Sequence, residues 1–157
     1  MKGAFAAMCL MSAGVVLAPA AFSHCQVPCG IYDDEIRIKV IAEDITTVEK
    51  CMKMIDELSA EGELNFNQIV RWVNTKEYHA DDIMGVVADY FMAQRIKAVG
   101  ADEGGAYGEY VTRLTLLHKI MYYAMKAKQS TDPAHVATLR SLLREFEVAY
   151  FGHPVGE

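Results

Sequence analysis

Between Asp34 and Ser59 the apolar residues Ile41, Ile45, Val48, Met52 and Ile55 recur at alternating spacings of four and three. One side of an α-helix can bury that period, and a strand cannot. Three more segments repeat it. The second starts after "SAEGELN", where Gly62 breaks the first helix and Asn65 or Asn67 can cap the next; it carries Ile69, Val73, Ala80, Ile83, Val87 and Tyr90 and runs to about Val99. "GADEGGAYG" makes the next connection, and Tyr110, Leu114, Leu117, Met121 and Ala124 share one face of the third helix. "STDPAHV" opens the fourth, with Thr131 or Asp132 as cap and Pro133 at the first helical position; Val136, Leu139, Leu143, Phe146 and Tyr150 form its stripe before Gly152 and Pro154 stop it. Four amphipathic helices on short polar links predict an all-α fold, an up-down-up-down four-helix bundle.

At 157 residues, 52% of them hydrophobic, the chain is long enough for one domain with a proper core. A net charge of -6 without any basic block argues against nucleic acid as a partner. The bundle itself offers no metal site by spacing: Glu-x-x-His, His-x-x-x-His and Cys-x-x-Cys-His are all missing from it. His79, His118, His135 and His153 are scattered and read as structural, and methionines such as Met52 and Met121 sit at helical spacing as core filler.

Residues 1–23 have a composition of their own. Lys2 is the only charge, and the apolar run that follows ends in small residues, with Ala21 and Ser23 placed for a cut between Ser23 and His24. A cleaved leader over 1–23 and a mature domain over 24–157 are therefore expected, ahead of an uncleaved anchor, which would need a charged flank after the apolar run. His24 in front of Cys25 excludes a lipobox, where a small residue is required. An exported protein in the periplasm or cell exterior, with no stable membrane association after processing, follows in preference to a cytoplasmic one, and a leader-processing protease becomes a partner.

What the cut exposes is "HCQVPCGIYDDE", residues His24 to Glu35. It is too short for a zinc ribbon. In an oxidising compartment Cys25 and Cys29 default to a disulfide, with Cys51 as a buried helix residue. The alternative is a metal. A free amine on His24, the amide nitrogen of Cys25 and the Cys25 thiolate close two adjacent five-membered chelate rings, and Cys29 adds a second thiolate as Pro28 and Gly30 turn the chain. The His24 imidazole stays free to approach from above that plane. Two nitrogens and two sulfurs from one loop favour square-planar geometry, hence nickel or copper(II) over zinc.

The segment resembles the N-terminal hook of the nickel superoxide dismutase family, His-Cys-x-x-Pro-Cys-Gly-x-Tyr, met here by His24, Cys25, Pro28, Cys29, Gly30 and Tyr32. "VADYF" resembles a family stretch with a tyrosine near the metal, here Tyr90. The resemblance implies a four-helix bundle behind the hook, a homohexamer and one nickel ion per subunit. His24 would supply its amine and, in the oxidised state, an axial imidazole; Cys25 its amide nitrogen and thiolate; Cys29 its thiolate. Tyr32 would guard the mouth as a catalytic residue that does not bind nickel. The implied reaction is disproportionation of superoxide to dioxygen and hydrogen peroxide through a Ni(II)/Ni(III) cycle.

Two positions depart from the family pattern: Gln26 stands where an acidic residue is common, and Asp34 where a proline is common, a change that a helix N-terminus tolerates. The family's buried glutamate and arginine that brace the hook have no evident counterparts, with Arg71 and His79 as candidates for the second. Arg37 and Lys39 are candidates for steering an anionic substrate. Two rival readings use the same residues differently. One is a non-catalytic exported metal-binding bundle; the other is a structural bundle with a Cys25 to Cys29 disulfide.

Overall fold

The computed structural model describes residues 30–155. Helix α1 spans Asp34–Ser59, α2 Phe66–Gly85 with a π-helical continuation over Val86–Arg95, α3 Gly105–Gln129 and α4 Pro133–Phe151, with no strand among the described residues. The all-helical bundle expected from periodicity is present. Each helix packs on its two neighbours, α1 against α2 and α4, and α3 against α2 and α4.

The ends form where capping chemistry places them. Asp33 accepts from the Ile36 amide at 3.0 Å, Asn65 from the Gln68 amide at 3.2 Å and Asp132 from the Ala134 amide at 2.9 Å, each satisfying an amide that the first helical turn leaves open. Pro133 stands at the start of α4, and Gly152, at φ +84°, ends it in the left-handed conformation.

Ile38, Ile41, Ile45 and Val48 of α1 meet Ile83, Val87 and Phe91 of the second helix, Leu117, Ile120 and Ala124 of α3, and Leu139, Leu143 and Phe146 of α4 in one continuous core. The stripes are those predicted for α1 and α4 in the main, although Ile55 and Tyr150 are only half-buried. In α3 the buried face is rotated: Leu116, Leu117, Ile120, Ala124 and Ala127 point inward, while Tyr110, Leu114 and Met121 lie at its margin. Lys76, 4% exposed, closes the far end of α3 by donating from Nζ to the carbonyls of Ala127 (3.0 Å), Lys128 (2.7 Å) and Ser130 (3.0 Å). Those carbonyls lack partners within their own helix, so a buried cation serves as the cap.

The second helix departs most from expectation. It stops at Arg95 rather than near Val99, with Ile96 in extended backbone, and its last ten residues are π-helical. The Ile96 amide reaches back five residues to the Phe91 carbonyl at 2.9 Å. In an α-helix, positions five apart point about 140° away from each other. Bonding to the fifth residue instead brings such positions together, and Tyr90 and Arg95 are five apart.

Candidate functional site

Tyr90 and Arg95 converge on Asp34, in the first turn of α1. Arg95 donates through Nε to Oδ1 and through Nη2 to Oδ2, both at 2.8 Å. The Tyr90 hydroxyl donates to Oδ1 at 2.6 Å, and the Tyr150 hydroxyl, from the end of α4, donates to Oδ2 at 2.9 Å. One carboxylate therefore ties together the start of α1 and the ends of the second and fourth helices. The fork-on-fork pairing with Arg95 is the strong, directional form of this contact.

Above the carboxylate lies Tyr32. Its ring meets Tyr90 edge-on with centroids 5.8 Å apart, the Arg95 guanidinium sits 4.4 Å from its centroid, and its hydroxyl donates to Gln94 Oε1 at 3.4 Å. Arg37 sits 5.0 Å from the centroid of Tyr90. The chain reaches this cluster through Gly30, at φ +80°, a backbone conformation that glycine adopts without strain. Tyr32 stays 37% exposed, with its ring resting on Tyr90 and Arg95.

The electrostatics follow from the donors. Burial alone would raise the Asp34 carboxyl, but Arg95, Tyr90 and Tyr150 outweigh it and hold it below the ordinary value of 3.8. The Tyr90 hydroxyl is pushed well above a normal phenol by burial and by its bond to Asp34, so it stays protonated. Arg95 is driven further up by the same carboxylate.

A sequence profile described as Nickel-containing superoxide dismutase matches residues 19–153. The chain belongs to the nickel-containing superoxide dismutase family. It is therefore a superoxide dismutase, an oxidoreductase with nickel as cofactor. No curated protein and no solved structure is similar enough to the chain to count as a match.

For this superoxide dismutase the sequence nominates His24, Cys25 and Cys29 as nickel ligands, and those residues, with Gln26, Pro28 and the expected leader over 1–23, lie outside the described residues. Their donor types suit nickel: thiolates and a deprotonated amide are anionic and electron-rich, which stabilises a higher oxidation state. The described chain fits a hook in front of it, since Gly30 provides a tight entry and Tyr32 stands three residues after Cys29. Cys51, the cysteine among the described residues, is fully buried, and burial pushes its thiol up, away from the thiolate form a metal requires.

Arg71 is exposed on α2, and His79 pairs with Asp44 through Nδ1 at 2.7 Å, well down the bundle. The arginine that faces the Tyr32 ring is Arg95. Asp82 joins Asp44 and His79 in a group whose ligand atoms lie within 4.8 Å of one another, and the Asp44–His79 bond accounts for that approach as a cross-link between α1 and α2. Asp34, Arg95 and Tyr150 escaped the sequence reading. Asp34 looked like a mere helix-start carboxylate; a five-residue spacing from Tyr90 to Arg95 is silent unless a π-helix is foreseen.

Proposed function

We propose that superoxide is disproportionated at an N-terminal nickel hook made by His24, Cys25 and Cys29 once residues 1–23 are removed. The overall chemistry balances as two superoxide anions and two protons giving one dioxygen and one hydrogen peroxide. Nickel, one ion per subunit, supplies the alternating one-electron oxidation and reduction when bound. His24 would hold it through its amine and imidazole, Cys25 through its amide nitrogen and thiolate, and Cys29 through its thiolate.

The remaining work belongs to the protein. Tyr32 narrows the approach and orders water, which excludes bulkier anions and keeps the protons for peroxide close at hand. Arg37 places a positive charge at this end of the bundle, where a chain of net charge -6 otherwise repels an anion, whereas the charge of Arg95 is matched by that of Asp34. Lys39 contributes less, because its ammonium lies 3.8 Å from Glu35 on the solvent side of α1. Assembly as a homohexamer and action in the periplasm or outside the cell complete the proposal.

The observation that carries it is the continuity between the hook motif and the cluster it enters: Cys29 is followed at once by Gly30 and then by Tyr32, seated on Tyr90 and Arg95. Cys25→Ser and Cys29→Ser, made separately, should keep the helical content of the parent while losing both nickel and superoxide consumption. Either variant retaining stoichiometric nickel and full turnover would overturn the ligand assignment.

A further inference from the structure

We propose that Asp34 is the positioning residue of this site: its carboxylate fixes Arg95 and Tyr90, and those two fix the Tyr32 ring at the base of the hook. The role of Tyr32 in turnover rests on the nickel-hook reading; the ring's dependence on Asp34 does not.

The geometry supports a chain of dependence with few alternatives. Asp34 has four donors on its two oxygens, two from Arg95 and one each from Tyr90 and Tyr150. Arg95 is thereby held with its guanidinium against the face of Tyr32, and Tyr90 with its ring against the same side chain. Among the described residues the one direct polar contact of Tyr32, to Gln94, is long at 3.4 Å and comes from the residue preceding Arg95. Tyr32 is thus oriented by groups that are themselves oriented by Asp34. Supporting residues of this kind commonly decide how well a metal site performs.

Asparagine in place of Asp34 keeps the shape and one acceptor but turns two hydrogens toward Arg95 and Tyr150 or Tyr90, which are already donors. The arginine fork cannot then be met on both arms. Lysine in place of Arg95 keeps the charge and loses the fork and the flat face beneath Tyr32.

The test reads Tyr32 directly. In the full chain without nickel, carrying ring-labelled tyrosine, the Tyr32 signal is assigned by its loss in Tyr32→Phe. Asp34→Asn and Arg95→Lys should each narrow that signal and shift it toward free tyrosine, while the methyl signals of Ile120 and Leu139 stay in place. In the nickel-loaded enzyme beginning at His24, both variants should keep their nickel and lose about tenfold in kcat, the scale expected when a positioned group is loosened. Asp34→Glu, which retains the carboxylate, should recover part of the loss. An unchanged Tyr32 signal in two folded variants would overturn the proposal, and so would a loosened Tyr32 with parental kcat. A nickel-loaded parent that fails to consume superoxide would instead sink the hook reading, leaving the Tyr32 measurement to decide the positioning role by itself.

Discussion

Asp34 and Asp44 are the same residue type, ten positions apart on one helix, and the fold treats them in opposite ways. Asp34 collects four hydrogen bonds from three side chains. Asp44, 5% exposed, has one bond, from His79, and its second oxygen is buried without a donor among the described residues. Burial pushes both carboxyls up. At Asp34 the donors reverse that push; at Asp44 His79 offsets only part of it, and Asp82 and Glu43 add repulsion. What separates them is how well the ionised form is served by donors. The Tyr32 end of the bundle is built to keep a carboxylate charged and its neighbours still. The middle of α1 carries a carboxylate as a cross-link.

The largest effect expected from this contrast is on stability and its pH dependence. At pH 7, Asp34→Asn should cost about 3 kcal/mol, because Arg95 and two hydroxyls lose the charge and one oxygen of their common acceptor, whereas Asp44→Asn should change stability by less than about 1 kcal/mol. The signs with pH are opposite. A carboxyl lowered in the folded state contributes stability above 3.8 that disappears as pH falls through its folded value, so the gap between parent and Asp34→Asn should close on acidification. A carboxyl raised in the folded state contributes below 3.8 and loses that contribution as pH rises through its folded value, so Asp44→Asn should remove that part of the slope. Urea titrations of the three proteins between pH 3 and 7 check both; parallel curves would break the comparison.

A smaller effect divides the Asp34 cluster internally. Tyr150→Phe removes one of four donors and leaves the Arg95 fork whole, so it should cost about 1 kcal/mol in the same titrations. A loss equal to that of Asp34→Asn would mean that the cluster fails as a unit. Smallest is the long-range charge effect. Arg37→Gln should slow superoxide consumption at low ionic strength by about twofold, with the difference vanishing in high salt, and Lys39→Gln should leave the rate alone. Equal slowing by both would show that overall charge, rather than position at the hook end, governs encounter.

The bundle was legible because burial imposes a period and helix ends demand caps: Ile41 to Met52 gave away α1, and Asp132 with Pro133 the start of α4. The rotated face of α3 was harder, since its apolar residues are dense enough to fit two stripes, and Leu116 could be told from Met121 only by its neighbours. For the site, Tyr32 and Tyr90 were visible through their motifs. Asp34 and Arg95 were not, because their meeting depends on the turn of the second helix changing after Gly85, and no local residue pattern announces a π-helix. The presence of aspartate where the family commonly has proline was the available clue. Proline there could have started the helix but has no side-chain oxygen to accept the two hydrogen bonds of Arg95.

The central claim is that the ligand set is complete only when His24 is the first residue. It is tested most directly by comparing the chain beginning at His24 with the same chain carrying a single extra alanine in front of it, measuring bound nickel and superoxide loss on both. The account predicts equal helical content, nickel and turnover in the first, and loss of turnover in the second, whose terminal amine stands one residue too far away. Full nickel and undiminished turnover in the extended chain would contradict it.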